Sequence, residues 1–288
     1  MTRNTVMIKS FFINLFLIIL KIVGGIFFMS ASLIADALHS ASDFFTDMMV
    51  IFGIQQSNKP PDKEHPFGHG KAEYVVSLLL GVLILFMAYQ IFSSMITRAL
   101  EGPTTPLIYA VIIPVFVIGI KYGLAKYIMH YGEKLDSHAL KASAKESFAD
   151  IMSSIIVLFG ILLGFIGKWA SIDALIFADL VAALMVGVLI LRVAYYIIKD
   201  AIVSILGKSA PPKVIKEVTS IIESIEGVKG VDNLRMIVYG HYYQALVEIS
   251  VEKTLTVKQG HDIASKVKRK MKENSKISHV LIHVNPEG

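Results

Sequence analysis

One polar stretch inside a long apolar segment carries residue types that bind metal ions. It runs from Asp36 to Asp47. Between these two acids lie His39 and Asp43, at positions i and i+4. On a helix of about 3.6 residues per turn, this spacing places both side chains on one face. Ionisable groups at membrane depth are costly, so they indicate a functional site. Lys21, deep in the preceding apolar segment, is predicted to be a buried counter-ion for Asp36 or Asp47.

A second pair of acids repeats this spacing in another apolar segment. Glu146 and Asp150 are again i and i+4. Carboxylates are hard oxygen ligands, and imidazole suits metals such as Zn, Cu, Fe or Ni. Hydrogen bonding between helices is the alternative role for such residues, but four ligand-type side chains on two helices favour one divalent cation. The predicted ligands are His39, Asp43, Glu146 and Asp150.

The composition limits the class of protein. The chain has 288 residues, of which 54% are hydrophobic, and a mean hydropathy of +0.62. A soluble domain of this size is far less apolar, so we expect a polytopic membrane protein. The charge of +5 is spread over helix ends and the C-terminal third, which argues against nucleic-acid binding. Cysteine is absent, so a metal must use His, Asp or Glu. No nucleophile–base arrangement or phosphate loop suggests an enzyme.

Six apolar runs are long enough to cross a hydrocarbon core of about 30 Å, which needs about 20 helical residues. The predicted spans are Ser10–Met29, Ser32–Ile54, Val75–Ile96, Leu107–Met129, Glu146–Ile166 and Ala174–Ile198. An even number places both termini on one side of the membrane. Loops on that side hold many lysines, among them Lys59, Lys63, Lys71, Lys121, Lys126, Lys134 and Lys141, whereas the opposite loops hold little beyond Arg98 and Lys168. The positive-inside rule then predicts cytoplasmic N- and C-termini.

The residues after Gly207 predict a separate small domain. Pro211 and Pro212 mark the boundary, and the alternation of patterns gives the order α-β-β-α-β. The predicted elements are helix Lys213–Glu226, strands Val231–Val238 and Tyr243–Val251, helix His261–Asn274 and strand Val280–Val284. This order predicts an open-faced α+β sandwich with a ferredoxin-like arrangement, and about 80 residues suffice for it to fold alone. We therefore expect a transmembrane domain at 1–208 and a second domain at 209–288.

Two further clusters of ligand-type residues lie outside the apolar runs. Asp62, His65 and His69 share the loop between the second and third spans, where they either bind a cation or form a capping turn around Pro66 and Gly68. The last domain holds a looser group that either binds a metal or is simply solvated. Its members are His241, Glu248, His261, His279 and His283.

Several motifs together resemble the cation diffusion facilitator family. Ser32–Ser40 with Asp43 is similar to the second-helix signature of that family, and His65–Glu73 is similar to the loop that follows it. Ala139–Asp150 resembles the fifth helix, and Ile282–Pro286 resembles the end of the cytoplasmic domain. The resemblance covers nearly the whole chain.

The resemblance implies a function and a set of site residues. It implies six helices, a metallochaperone-like cytoplasmic domain, a homodimer in the lipid bilayer, and export of divalent metal from the cytoplasm in exchange for protons. It implies no prosthetic group, and we expect the plasma membrane of a prokaryote. By position, the family's transport site falls on His39, Asp43, Glu146 and Asp150, its loop site on Asp62, His65 and His69, and its cytoplasmic-domain site on Glu248, His261 and His283.

The sequence departs from the family pattern at positions that bear on the metal. Zinc-type members usually have His where this chain has Glu146, and manganese-type members usually lack histidine in this site. Zn is the first expectation, and Mn, Fe(II), Co and Cd stay open. Glu248 and Asn285 stand where some members have His and Asp. Some members also pair the Lys71 position with an acid after the sixth helix, for which Asp200 is the candidate here. A membrane-bound metal sensor without transport is the alternative function. A channel is disfavoured, because Val75–Ile96 and Leu107–Ile120 offer almost no polar lining.

Overall fold

Long helices alternate with short connections from Arg3 to Ile205. The computed structural model describes residues 3–102, 105–135, 137–273 and 276–287, without the side chains of residues 3, 4, 50, 51, 138, 139 and 142. The helices are α1 (Arg3–Phe27), α2 (Ala31–Ser57), α3 (Ala72–Glu101), α4 (Ile112–Lys134), α5 (His138–Ala170), the single turn α6 (Asp173–Ile176) and α7 (Ala178–Ile205). A 3₁₀ turn, Ile108–Val111, leads into α4.

The expected class of helical membrane protein is confirmed. Within the described residues, five helices are both long and apolar enough to cross a membrane. They are Thr5–Phe27, Ala72–Glu101, Ile108–Lys134, Ser143–Ala170 and Ala178–Ile205. Helix α2 has 27 residues, which is also long enough, and it carries the acids Asp36, Asp43 and Asp47.

Two boundaries differ from the predicted spans, and both differences have local causes. Helix α5 begins at His138 instead of near Glu146, because a polar first turn is capped by Ser137, whose hydroxyl accepts the backbone N–H of Leu140. An apolar run cannot reveal such a start. The predicted run from Ala174 is interrupted, since the turn α6 ends at Ile176 and α7 begins at Ala178.

The start of α2 is fixed by a residue far along the chain. The carboxylate of Asp179 in α7 accepts hydrogen bonds from the hydroxyls of Ser30 (2.8 Å) and Ser32 (2.5 Å) and from the backbone N–H of Ala31 (2.7 Å). Asp179 is 2% exposed. The first N–H groups of a helix have no partner within it, and a carboxylate at that end also favours the helix dipole. Asp179 therefore attaches the beginning of α2 to α7.

The C-terminal part forms the predicted α+β sandwich. Its elements are α8 (Pro212–Glu223), β1 (Gly230–Tyr239), β2 (Tyr242–Val251), α9 (Val257–Lys272) and β3 (Ile277–Pro286). The strand order is β1-β2-β3, with β1 antiparallel and β3 parallel to β2. Helix α9 begins four residues before the predicted start, because Thr256 and Gln259 form a capping box. The predicted end at Asn274 lies outside the described residues.

One face of this sheet forms the core of the sandwich. Along β2, Ala245, Val247, Ile249 and Val251 are buried, and they alternate with less buried residues, as a period of two requires. The helices cover that face with Val218 and Ile222 of α8 and Ile263, Val267 and Met271 of α9. The α-β-β-α-β order thereby builds a single apolar core.

The chain divides into two compact units. One contains Met1–Met48 and Leu80–Tyr196, and the other contains Met49–Leu79 and Ile197–Gly288. The predicted transport ligands all belong to the first unit. The loop after α2 and the C-terminal sandwich both belong to the second, and each unit is described separately below.

Candidate metal sites

Three of the four predicted transport ligands meet between α2 and α5. Ligand atoms of His39, Asp43 and Asp150 all lie within 4.8 Å of one another. Asp150 is 6% exposed, and the other two side chains are half-buried. The i, i+4 spacing on α2 aligns His39 and Asp43 on the face that meets Asp150. A divalent cation bound by one nitrogen and two carboxylates fits this arrangement.

One nitrogen of the His39 imidazole, Nδ1, is buried without a hydrogen-bond partner among the described residues. The nearest carboxylate oxygen of Asp43 is 3.9 Å away, which is too far for a hydrogen bond. Buried polar atoms in folded proteins nearly always have a partner, and an exception calls for a role. A metal ion between His39 and the carboxylates would supply the missing contact.

The two carboxylates at this site need a positive charge nearby. Two like charges within 4.8 Å of each other repel by at least about 3.5 kcal/mol at an effective dielectric constant of about 20. Part of that charge comes from Lys121 of α4, whose ammonium group lies 2.5 Å from Asp150 Oδ2 and is buried. The predicted loop position of Lys126 is wrong, because this residue lies within α4. The same correction applies to Lys121, which lies in the middle of that helix. Its partner is 29 residues away, and no local pattern connects the two.

Glu146 and Asp47 stand at the edge of this cluster. Both are exposed, one helical turn from Asp150 and Asp43 respectively. Glu146 does not join the group of three within 4.8 Å in the described part of the chain. Its role as the fourth ligand stays a prediction that requires its flexible side chain to turn inward.

A buried network adjacent to the cluster joins α1, α2 and α5. Lys21 forms an ion pair with Asp36 (2.7 Å) and donates a hydrogen bond to Ser40 (2.8 Å). The hydroxyls of Ser153 (2.6 Å) and Ser154 (3.0 Å) in α5 donate to the same carboxylate. Lys21 and Asp36 are both fully buried. Lys21 is therefore the counter-ion of Asp36, as the sequence predicted, and its role is to hold the ligand-bearing helices together.

The loop after α2 brings its three predicted ligands together. The carboxylate of Asp62 lies 3.3 Å from His65 Nδ1 and 3.4 Å from His69 Nε2. All three ligand atoms lie within 4.8 Å of one another, on a largely exposed surface. His69 Nδ1 lies 3.1 Å from the carbonyl of Pro60. If Nδ1 donates its proton there, Nε2 keeps a lone pair for a metal ion.

The same loop also forms the capping turn, which was the predicted alternative to a metal site. Asp62 Oδ1 accepts the backbone N–H groups of His65 (2.6 Å) and Glu64 (3.0 Å). The hydrogen bond from the His65 backbone holds the pKa of the Asp62 carboxyl below its usual range. Gly68 has a φ of +85°, which favours glycine at the turn. The turn and the ligand cluster therefore coexist.

Tyrosines of the β1–β2 hairpin contact this loop within the second unit. The hydroxyl of Tyr242 donates to the carbonyl of Phe67 (2.9 Å), and the ring of Phe67 packs on His279. Partial burial raises the pKa of Tyr242, so it stays a neutral donor. The expected pairing of Lys71 with Asp200 does not occur, because Asp200 pairs with Lys208 and the Lys71 ammonium donates to the carbonyl of Ile205.

The predicted site of the C-terminal domain is not assembled in the same way. Glu248 and His283 are direct partners across β2 and β3, but Glu248 accepts a hydrogen bond from Asn233 (3.1 Å). His261 lies on α9 and is exposed. Within the described residues, these three do not form a group with ligand atoms inside 4.8 Å. This site stays a prediction.

Comparisons with known proteins cover both parts of the chain. The model of the cation efflux transmembrane domain matches residues 7–206, and that of the cation efflux protein cytoplasmic domain matches residues 210–287. These matches and the apolar helices define a membrane transporter of divalent metal cations. The chain belongs to the cation efflux family, the cation diffusion facilitators, as its motifs indicated. Its members are transporters and not enzymes.

Several relatives are similar over almost their full length. The manganese efflux system protein MneP of Bacillus subtilis is 34% identical over 274 residues, which are 95% of this chain and 92% of that protein. The manganese efflux system protein MneS of the same organism is 28% identical, covering 93% and 90%. The magnetosome protein MamB of Magnetospira sp. is 28% identical, covering 98% and 94%. A solved structure of the MamM C-terminal domain matches 27% of this chain and 100% of its own, at 24% identity and a TM-score of 0.26.

Proposed function

We propose that this protein exports a divalent metal cation from the cytoplasm in exchange for protons. The observation that carries the proposal is the buried, unpartnered Nδ1 of His39 beside the carboxylates of Asp43 and Asp150. Glu146 is proposed as the fourth ligand, within reach on the same helix as Asp150. Membership of the family supports metal efflux. The identity of the ligands and the exchange for protons are proposals.

Proton exchange follows from the ligand chemistry. Carboxylates and imidazole bind metal only when deprotonated, so metal binding releases protons and a lower pH releases metal. We propose that His39 and the carboxylates carry the protons when the site holds no metal. We propose alternating access, in which the site binds metal from the cytoplasm and exchanges it for protons when it opens outward.

Manganese is the proposed substrate, in place of the zinc that the sequence first suggested. Two relatives are named as manganese efflux proteins. Carboxylate oxygen suits Mn²⁺, and Glu146 in place of a histidine adds to the oxygen character of the site. The imidazole of His39 favours Zn²⁺. Zn²⁺ is therefore the second candidate substrate.

The rest of the chain is proposed to orient, pair and regulate the transporter. We propose a transport domain at 1–208, a cytoplasmic domain at 209–288 that pairs two copies as a homodimer, and both termini in the cytoplasm. The family ranges 7–206 and 210–287 support these boundaries. The loop ligands Asp62, His65 and His69 and the domain ligands Glu248, His261 and His283 are proposed to bind cytoplasmic metal and favour one arrangement of the dimer.

Metal uptake into proteoliposomes tests the function and its substrate. Wild type should show saturable Mn²⁺ uptake, while Asp43→Asn should abolish uptake and the control Asp173→Asn, an exposed acid of α6, should not. Glu146→His should shift the preference from Mn²⁺ towards Zn²⁺. Unchanged uptake by Asp43→Asn would refute the site, and Mn²⁺ binding without any uptake would assign the protein to the sensor class.

A further inference from the structure

Lys121 is a buried cation in direct contact with a proposed metal ligand. Its Nζ lies 2.5 Å from Asp150 Oδ2, and the two residues are 3% and 6% exposed. Asp150 also belongs to the group of three ligand atoms within 4.8 Å, with His39 and Asp43. The carboxylate of Asp150 is thus in contact with the ammonium group of Lys121 and is also a proposed ligand of the transported metal ion.

We propose that Lys121 is a built-in counter-ion that competes with the transported metal. It neutralises Asp150 while the transporter carries no metal, and it withdraws from that carboxylate when a divalent cation binds. This inference rests on the proposed metal site. The proposed event is a movement of the Lys121 side chain and involves no proton transfer.

The metal-free carrier has a physical need for such a group. A transporter by alternating access must change conformation without metal in one half of its cycle. Removing the partner of a buried charge is strongly unfavourable, and the cluster holds two carboxylates close together. The ammonium group of Lys121 lowers this cost at Asp150, so it should favour the return of the metal-free carrier.

A bound metal ion should weaken the contact between Lys121 and Asp150. A first-row divalent ion binds carboxylate oxygen at about 2.0–2.2 Å, which is closer than an ammonium group approaches. A cation of charge +2 and the ammonium group then repel each other across one carboxylate. Lysine has a long flexible stem and can retreat from Asp150 without movement of the helix. The energy needed to displace Lys121 weakens metal affinity, and this aids release.

Two substitutions at this position should change affinity in opposite directions. Lys121→Met removes the competitor and keeps the length of the side chain, so Mn²⁺ should bind more tightly. If the ammonium group blocks Asp150 about nine-tenths of the time, the dissociation constant should fall about tenfold. Lys121→Arg keeps the charge and can pair with both oxygens of Asp150, so Mn²⁺ should bind more weakly. If Lys121 only supported the structure of the site, Lys121→Met should instead bind Mn²⁺ more weakly than the wild type.

The test is Mn²⁺ titration of the detergent-solubilised full-length protein, with free Mn²⁺ followed by electron paramagnetic resonance. Each variant is also titrated in a second form that carries the additional substitution Asp150→Asn. The Mn²⁺ bound by this second form is subtracted, because it measures binding at other sites. The matched control is Lys126→Met, because Lys126 is exposed on the same helix and contacts the ring of Tyr122 instead. Its dissociation constant should equal that of the wild type.

Each outcome bears on one of the two proposals. A dissociation constant for Lys121→Met that is equal to or higher than that of the wild type overturns the counter-ion. If that variant does not fold, an affinity of Lys121→Arg equal to the wild type overturns it instead. The expected pattern of affinities without Mn²⁺ flux in the wild type would keep the counter-ion and reject transport. If no variant shows binding that depends on Asp150, both proposals fall.

Discussion

Single ionisable residues buried between apolar helices help to position the helices of this protein. The ion pair of Lys21 with Asp36 is fully buried and has further hydrogen bonds from Ser40, Ser153 and Ser154. An isolated buried charge is far more costly than a paired one. Each of these charges therefore depends on the other, and together they set the position of α2 against α1 and α5.

Replacing only one residue of the Lys21–Asp36 pair should reduce the stability of the protein more than replacing both. Lys21→Met leaves the Asp36 carboxylate unpaired, and we expect a loss of about 3–5 kcal/mol, seen as a lower unfolding temperature in detergent. The double variant Lys21→Met with Asp36→Asn should recover much of that loss, since Asn carries no charge and its one side-chain oxygen still accepts from one of the two serines. A double variant less stable than Lys21→Met alone would contradict a pairing role.

The loop turn should resist acid. Hydrogen bonds to Asp62 lower its pKa, so the carboxylate's contribution to the turn is complete above the usual Asp range and is lost only as the pH falls through the lowered value. We expect a titration of the ¹³C-labelled carboxyl groups to show Asp62 ionised below that range. His65→Ala keeps the backbone N–H, so most of the shift should persist, whereas an ordinary Asp62 pKa in both proteins would rule out the hydrogen-bonded turn.

The sequence predicted the residues whose partners are local and also the Lys21–Asp36 pair, but it missed the distant partners of Lys121 and Asp179. His39 and Asp43 are one turn apart on α2, and the loop ligands lie within eight residues, so spacing alone indicated both groups. Lys121 meets Asp150 only after α4 and α5 pack together. Pattern alone does not distinguish a lysine inside an apolar span from a lysine near a helix end, so the predicted loop position of Lys121 was wrong.

At the scale of elements, the end of one helix is completed by another. The Asp179 carboxylate binds Ser30, Ala31 and Ser32 at the start of α2, across about 150 residues of sequence. Capping residues normally precede their helix directly, and the local serines gave no sign of a distant acid. Hydropathy therefore predicted the existence of α2 and α7 but not the contact between them.

Removing this cap should destabilise the protein. Asp179→Ala leaves a buried N–H and two hydroxyls without their acceptor, and an unsatisfied buried group costs about 1–3 kcal/mol. We expect a lower unfolding temperature and faster hydrogen exchange in the first turn of α2. Asp179→Asn keeps one acceptor oxygen, so its effect should be smaller. Equal stability of Asp179→Ala and the wild type would show that the cap is dispensable.

At the scale of the whole molecule, a single chain combines apolar helices with two groups of metal-ligand residues. One group, around Asp43, lies between apolar helices, and the other, around Asp62, lies on an exposed loop in contact with the β1–β2 hairpin. The apolar runs and the α-β-β-α-β pattern were sufficient to predict both folds. The break between the short turn α6 and the helix α7 was not predicted, because hydropathy does not register where a helix stops and restarts.

The central claim is that one site between α2 and α5 couples metal efflux to proton uptake. The most direct measurement follows Mn²⁺ and the internal pH at once, in proteoliposomes that contain the wild type or Asp150→Asn. The account predicts that Mn²⁺ entering the vesicles drives protons out with a fixed ratio, and that an imposed pH gradient drives Mn²⁺ movement. Asp150→Asn should show neither. Saturable Mn²⁺ flux that leaves the internal pH unchanged, or coupled flux in Asp150→Asn, would contradict it.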